Sequence, residues 1–95
     1  MKIYITAVVK LKPQYRSEMI QVLMDMVEET RKEEACIQYD LHVDLEDENI
    51  LVFYEIWSNA EGLDRHNQQE YIKKISTMAR KGYVTETIIY KTKKI

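Results

Sequence analysis

The chain has 95 residues but only one cysteine, one proline and two glycines, and each scarcity excludes something. With Cys36 alone, no intrachain disulfide forms and no thiolate zinc or iron-sulfur site can be built within one chain, so a reducing, cytoplasmic setting is expected. So few prolines and glycines leave no linker and no phosphate cradle. Residues 1–95 are therefore expected to form one domain of continuous secondary structure joined by short turns. Neither a G-x-S-x-G nor a G-x-G-x-x-G motif occurs. No charge of one sign dominates: 14 Lys and Arg against 16 Asp and Glu leave a formal net charge of -2, which argues against a nucleic-acid or anionic-membrane partner. No apolar run approaches the ~18 residues of a membrane span. The N-terminal stretch MKIYITAVVKLKP also lacks a small-residue cleavage site, so neither export nor membrane insertion is expected.

What the chain does have is periodicity. Residues 2–11, KIYITAVVKL, are β-branched and aromatic without a breaker, which predicts a strand buried on both faces. Pro13 suits a helix start. From Gln14 to Lys32, the residues Tyr15, Met19, Val22, Leu23, Met26 and Val27 recur at three and four, giving a helix with one apolar face. Residues 36–45, CIQYDLHVDL, alternate as a strand does, with Ile37, Tyr39, Leu41, Val43 and Leu45 on one face and Gln38, Asp40, His42 and Asp44 on the other. EDEN at 46–49 turns the chain into ILVFYEIW at 50–57, completing a hairpin. Ser58 and Glu61 read as a capping box opening a short helix that ends near Asn67. Tyr71, Ile75, Met78 and Ala79 mark a second segment stopped by Gly82, and YVTETIIYKT at 83–92 is the last strand.

The order βαββαβ, with the second helix broken in two, predicts an α+β fold of the ferredoxin-like kind. In it a four-stranded antiparallel sheet carries helices on one face. Strands 1 and 3 are apolar on both sides, so the uncovered face is expected to pack against a second copy as a homodimer.

His66 follows Leu63 by three positions and should turn with it toward the sheet. Glu55 and Trp57 share a strand face with Leu51 and Phe53, and a carboxylate there must be hydrogen-bonded or functional. Two readings stand. In one, Glu55 and His66 satisfy each other or the backbone inside the core. In the other, a carboxylate-oriented imidazole is the general base of an apolar pocket for a small aromatic or carbonyl substrate. Asp40, His42 and Asp44 stand ~6.5 to 7 Å apart along their strand, too far to chelate one ion, and no metal site is expected. Cys36 and the methionines read as packing, and Lys91, Lys93 and Lys94 as a solvated strand end.

The segments TRKEEACIQYDLHVDLED and FYEIWSNAEGLDRH, in this order and spacing, resemble the antibiotic biosynthesis monooxygenase domain family in its small YgiN-like quinol monooxygenase branch. That resemblance implies a dimeric α+β barrel with a pocket between sheet and helices in each subunit. It also implies oxidation of aromatic quinols or anthrones by O2 without flavin, metal or other cofactor. Carried over by motif, His66 is the base, Glu55 orients it, Trp57 forms a pocket wall and Tyr39 hydrogen-bonds the developing oxyanion. Tyr71, standing where many members have a second histidine, is a candidate hydrogen-bond donor to substrate. Thr6, where a haem-degrading branch carries asparagine, is a further substrate-contact candidate. The family also includes an isomerase-like branch acting on a phosphorylated autoinducer-2 compound, for which Arg65, Lys73 and Arg80 would be the candidate cations. A non-catalytic, stress-related binding protein for a small apolar ligand is the competing class.

Overall fold

In the computed structural model, which describes residues 1–95, the strand expected first, β1 (Ile3–Leu11), becomes the centre of the sheet. It pairs with β3 (Ile50–Trp57) on one side and β4 (Val84–Thr92) on the other, and β2 (Cys36–Val43) lies outside β3. Every pairing is antiparallel and the order is β2-β3-β1-β4, the ferredoxin-like arrangement. A 3₁₀ turn at Pro13–Tyr15, where the missing proline N–H costs nothing, leads into α1 (Arg16–Thr30). The broken second helix comprises α2 (Ala60–Asn67) and α3 (Glu70–Met78). The chain then leaves α3 through a turn at Ala79–Tyr83, in which Gly82 takes φ 94°, a left-handed conformation that costs a side-chain-bearing residue about 1 kcal/mol or more. No helix is long and apolar enough to cross a membrane.

Strand alternation divides the sheet into two unlike faces. Toward the helices point Ile3, Ile5 and Ala7 of β1, Tyr39 of β2, and Leu51, Phe53, Glu55 and Trp57 of β3, all buried. Met19, Leu23, Met26 and Val27 of α1 and Leu63 of α2 close over them. Each such apolar side chain contributes roughly 1.5 to 3 kcal/mol when fully buried, so this layer holds the helices in place. The opposite face carries Tyr4, Thr6, Val8, Ile50, Val52, Tyr54 and Ile56, only half-buried, beside the exposed Ile88 and Tyr90 of β4. The chain exposes 6319 Å², against roughly 5,800 Å² for a compact monomer of this size.

Three local expectations are corrected. Strand β2 ends at Val43, and Leu45 is fully exposed in the turn, where the Asp44 carboxylate accepts the backbone N–H groups of Glu46 and Asp47. Ile37 does not share a face with Tyr39: one extra residue between Cys36 and Gln38 shifts the register against β3 and leaves Ile37 49% exposed. The cap of α2 is Asn59, whose side chain accepts the Gly62 N–H at 2.7 Å. Ser58 stands one residue before that cap, its N–H and its hydroxyl both donating to the Ala35 carbonyl.

Candidate active site

A cavity of about 310 Å³ opens between the sheet, α2 and α3. Its floor includes one row running straight across the sheet. Tyr39 pairs with Glu55, Glu55 with Ile5 and Ile5 with Lys91, and all four line the cavity. His66 and Asn67 of α2 and Ile72, Ile75 and Ser76 of α3 form the opposite wall. The mouth lies toward β4, where Thr87, Ile89 and Lys91 are exposed.

Two features hold His66 in that wall. A Cβ added at Gly62 would stand 2.1 Å from the Ala35 Cβ, so α2 approaches the loop before β2 more closely than any other residue would permit. Leu63 and His66 then point inward together, and His66 is 4% exposed. Its Nδ1 lies 2.8 Å from Glu33 Oε2, and the same oxygen accepts the Tyr71 hydroxyl. A carboxylate only accepts, so Nδ1–H donates and the other ring nitrogen, Nε2, carries the lone pair. Nε2 has no partner within the chain, yet the one fully enclosed side-chain polar atom without a partner is Asn49 Oδ1, so Nε2 keeps access to open space. Burial drives His66 below its ordinary value, outweighing the opposing pull of Glu33. Burial therefore favours the neutral ring, and the Glu33 carboxylate favours the tautomer with the proton on Nδ1.

Glu55 is 7% exposed, and its Oε1 accepts the Trp57 indole N–H at 2.9 Å. Burial pushes its carboxyl up to about 7, with the indole bond acting in the opposite sense, so the group exchanges a proton near neutrality. The Tyr39 ring centre is 5.5 Å from that of His66. Burial, with Glu55 adding to it, raises the phenol well above its ordinary value, so Tyr39 remains a protonated donor, and its hydroxyl has no partner inside the chain. Two acid–base groups and a hydrogen-bond donor thus meet in a mostly apolar cavity, a combination suited to moving a proton on a small, flat ligand.

Of the residues expected from sequence, the structure brings Tyr39, Glu55 and His66 to one cavity and corrects four assignments. Glu55 does not orient His66: its Oε1 accepts from Trp57, no hydrogen bond joins it to the imidazole, and the orienting carboxylate is Glu33. Trp57 is fully buried one layer behind the cavity, its ring 4.5 Å from that of His66. Tyr71 spends its hydroxyl on Glu33 and does not line the cavity. Thr6 lies on the helix-free face, since its neighbours Ile5 and Ala7 point toward the helices. Arg65, Lys73 and Arg80 are exposed outside the cavity, whereas Lys91, read as a solvated end, lines it. Asp40 pairs with Arg31 and accepts from Gln38, while Cys36 is half-buried with its thiol pushed up to about 11, chiefly by burial. Glu33 went unread because 33 residues separate it from His66 and it sits in a loop; the only signal was the glutamate in TRKEEAC.

The fold and this cavity define a class: small α+β proteins with a buried histidine in a cavity between sheet and helices. Within it, residues 2–77 match the antibiotic biosynthesis monooxygenase family, and the chain belongs to that family. YcnE of Bacillus subtilis, which carries a provisional monooxygenase name, is 31% identical over 75% of this chain and 75% of its own length. An uncharacterised Synechocystis protein, sll1783, is 35% identical over 66% of this chain, but the match spans only 43% of that longer relative. Among solved structures, a conserved protein from Methanosarcina mazei Go1 superposes with a TM-score of 0.89 at 30% identity, covering 100% of this chain and 94% of that one. A crystal structure described as an antibiotic biosynthesis monooxygenase gives 0.90 at 24% identity, covering 98% of each chain.

Proposed function

We propose that residues 1–95 work as one domain that oxidises a small aromatic substrate of the quinol or anthrone type with O2, without a cofactor. The observation carrying this reading is His66 in the wall of the apolar cavity, its Nδ1 2.8 Å from Glu33 and its Nε2 without a partner in the chain. With an anthrone-type substrate, Nε2 takes a proton from the activated CH2, and Tyr39 donates a hydrogen bond to the oxyanion that develops. The resulting carbanion passes one electron to O2, and the radical pair combines as a peroxide. Loss of water then leaves a carbonyl, so that CH2 plus O2 yields C=O plus H2O, with His66 returning the proton. Glu55, poised near neutrality, exchanges the second proton. Glu33 and Tyr71 act through His66 as positioning groups.

The helix-free face supports a second element of the proposal, assembly as a homodimer packed sheet to sheet. Its half-buried aliphatic and aromatic centre and the surface in excess of a compact monomer are what such packing would remove from water. The activity is tested by oxygen uptake of the metal-stripped protein with a panel of quinols and anthrones. His66→Ala should lower turnover by about 10² to 10⁴ while leaving the fold intact. A variant retaining full uptake would remove His66 from the mechanism.

A further inference from the structure

Lys91 is the one lysine or arginine lining the cavity, and no carboxylate in the chain pairs with it. It occupies the β4 end of the row that begins at Tyr39 and passes through Glu55 and Ile5. Glu55 and Lys91 stand two strand spacings apart, about 10 Å between their backbones, with Ile5 as the apolar floor between them. A ligand lying along this row has the acid–base groups at its inner end and an ammonium at its outer end. The remaining exposed polar wall residues, Asn67 and Ser76 on the helices and Thr87 four residues before Lys91 on β4, are uncharged, which leaves Lys91 as the one cation the cavity offers.

We infer that the ligand carries an anionic group, a carboxylate or a phosphate, at the end remote from the reacting carbon, and that Lys91 selects for it. The inference rests on the cavity holding the substrate, as proposed above, and narrows that substrate's class. Lys91 belongs to an edge strand and is exposed, so its side chain reaches an incoming anion before burial and then follows it inward. Replacing it disturbs no core packing.

The test uses three probes on the full chain: a neutral naphthoquinone, its monocarboxylate, and a small aliphatic ketose phosphate. Binding is followed by calorimetry at low salt for the parent, Lys91→Gln and Lys91→Glu. The carboxylate should bind about three- to tenfold more tightly than the neutral quinone. That ratio should fall to about one in Lys91→Gln and invert in Lys91→Glu. Both quinones binding with a ratio unaffected by either variant would overturn the inference and leave the aromatic reading standing. Tight, Lys91-dependent binding of the phosphate alone would uphold the anion and overturn the quinol reading. Binding of none of the three would overturn both.

Discussion

The two faces of the sheet are built from the same strands, yet they are chemically unlike. On the covered face, β2 and β3 contribute Tyr39 and Glu55, buried polar groups whose proton affinities are shifted by the apolar layer around them. One residue further along each strand the side chains reverse, and the bare face presents Val52, Tyr54 and Ile56 of β3, half-buried, beside Asp40 and His42 of β2. Burial alone does not make a reactive site, since most of the covered face is inert core. What separates the two is the third element. Helix α2 is pressed down at Gly62 and brings His66 over the polar row, and the loop before β2 supplies Glu33 from the far side.

The division can be broken from either side. The largest effect is expected on the bare face. Val52→Asp places a carboxylate between Val8 and His42 and, in the proposed sheet-to-sheet dimer, should raise the dissociation constant by at least about 10³-fold, or roughly 4 kcal/mol. Sedimentation should then find monomer, with the aromatic circular dichroism signal of Trp57 and Tyr39 retained; an intact dimer would remove this face from the assembly. On the covered face, Glu55→Gln tests how much the polar row costs the fold. The Glu55 carboxyl titrates near 4.5 when unfolded and at about 7 when folded, so the folded state binds the proton more tightly. Its stabilising contribution is complete below about 4.5 and is lost as pH rises through 7. The glutamine variant should match the parent at pH 4 and exceed it by about 3 kcal/mol in denaturant unfolding at pH 8. A smaller effect is expected of Glu33→Gln. Both contributions of Glu33 raise the basicity of His66, so the variant should lower kcat about tenfold and move the acid limb of kcat/KM to lower pH. A purely structural role would lower stability without moving that limb.

The strand and helix order was legible in the sequence because each segment carries its own period, and the βαββαβ order follows directly from the residues. His66 was legible for the same reason, standing three residues after Leu63 on a short helix. Partnerships were not. Glu55 and His66 are both buried and both line the cavity, which made them natural partners, but Glu55 bonds the indole two residues along its own face and His66 Nδ1 bonds Glu33. Glu33 and Lys91 carry no periodic signal: one sits in a loop 33 residues from its partner, the other on an edge strand where a lysine ordinarily faces solvent. Thr6 was misplaced by analogy with another branch, although the strand alternation already assigns it to the face opposite Ile5.

The central claim is the state of one ring, and nitrogen NMR of the His66 imidazole at pH 7 tests it most directly. A neutral ring is expected, with Nδ1 showing the shift of a protonated nitrogen and Nε2 that of an unprotonated one. In Glu33→Gln the resonances should move as the carboxylate's pull is lost. An imidazolium at pH 7, or a ring protonated on Nε2, would contradict the assignment of His66 as the base.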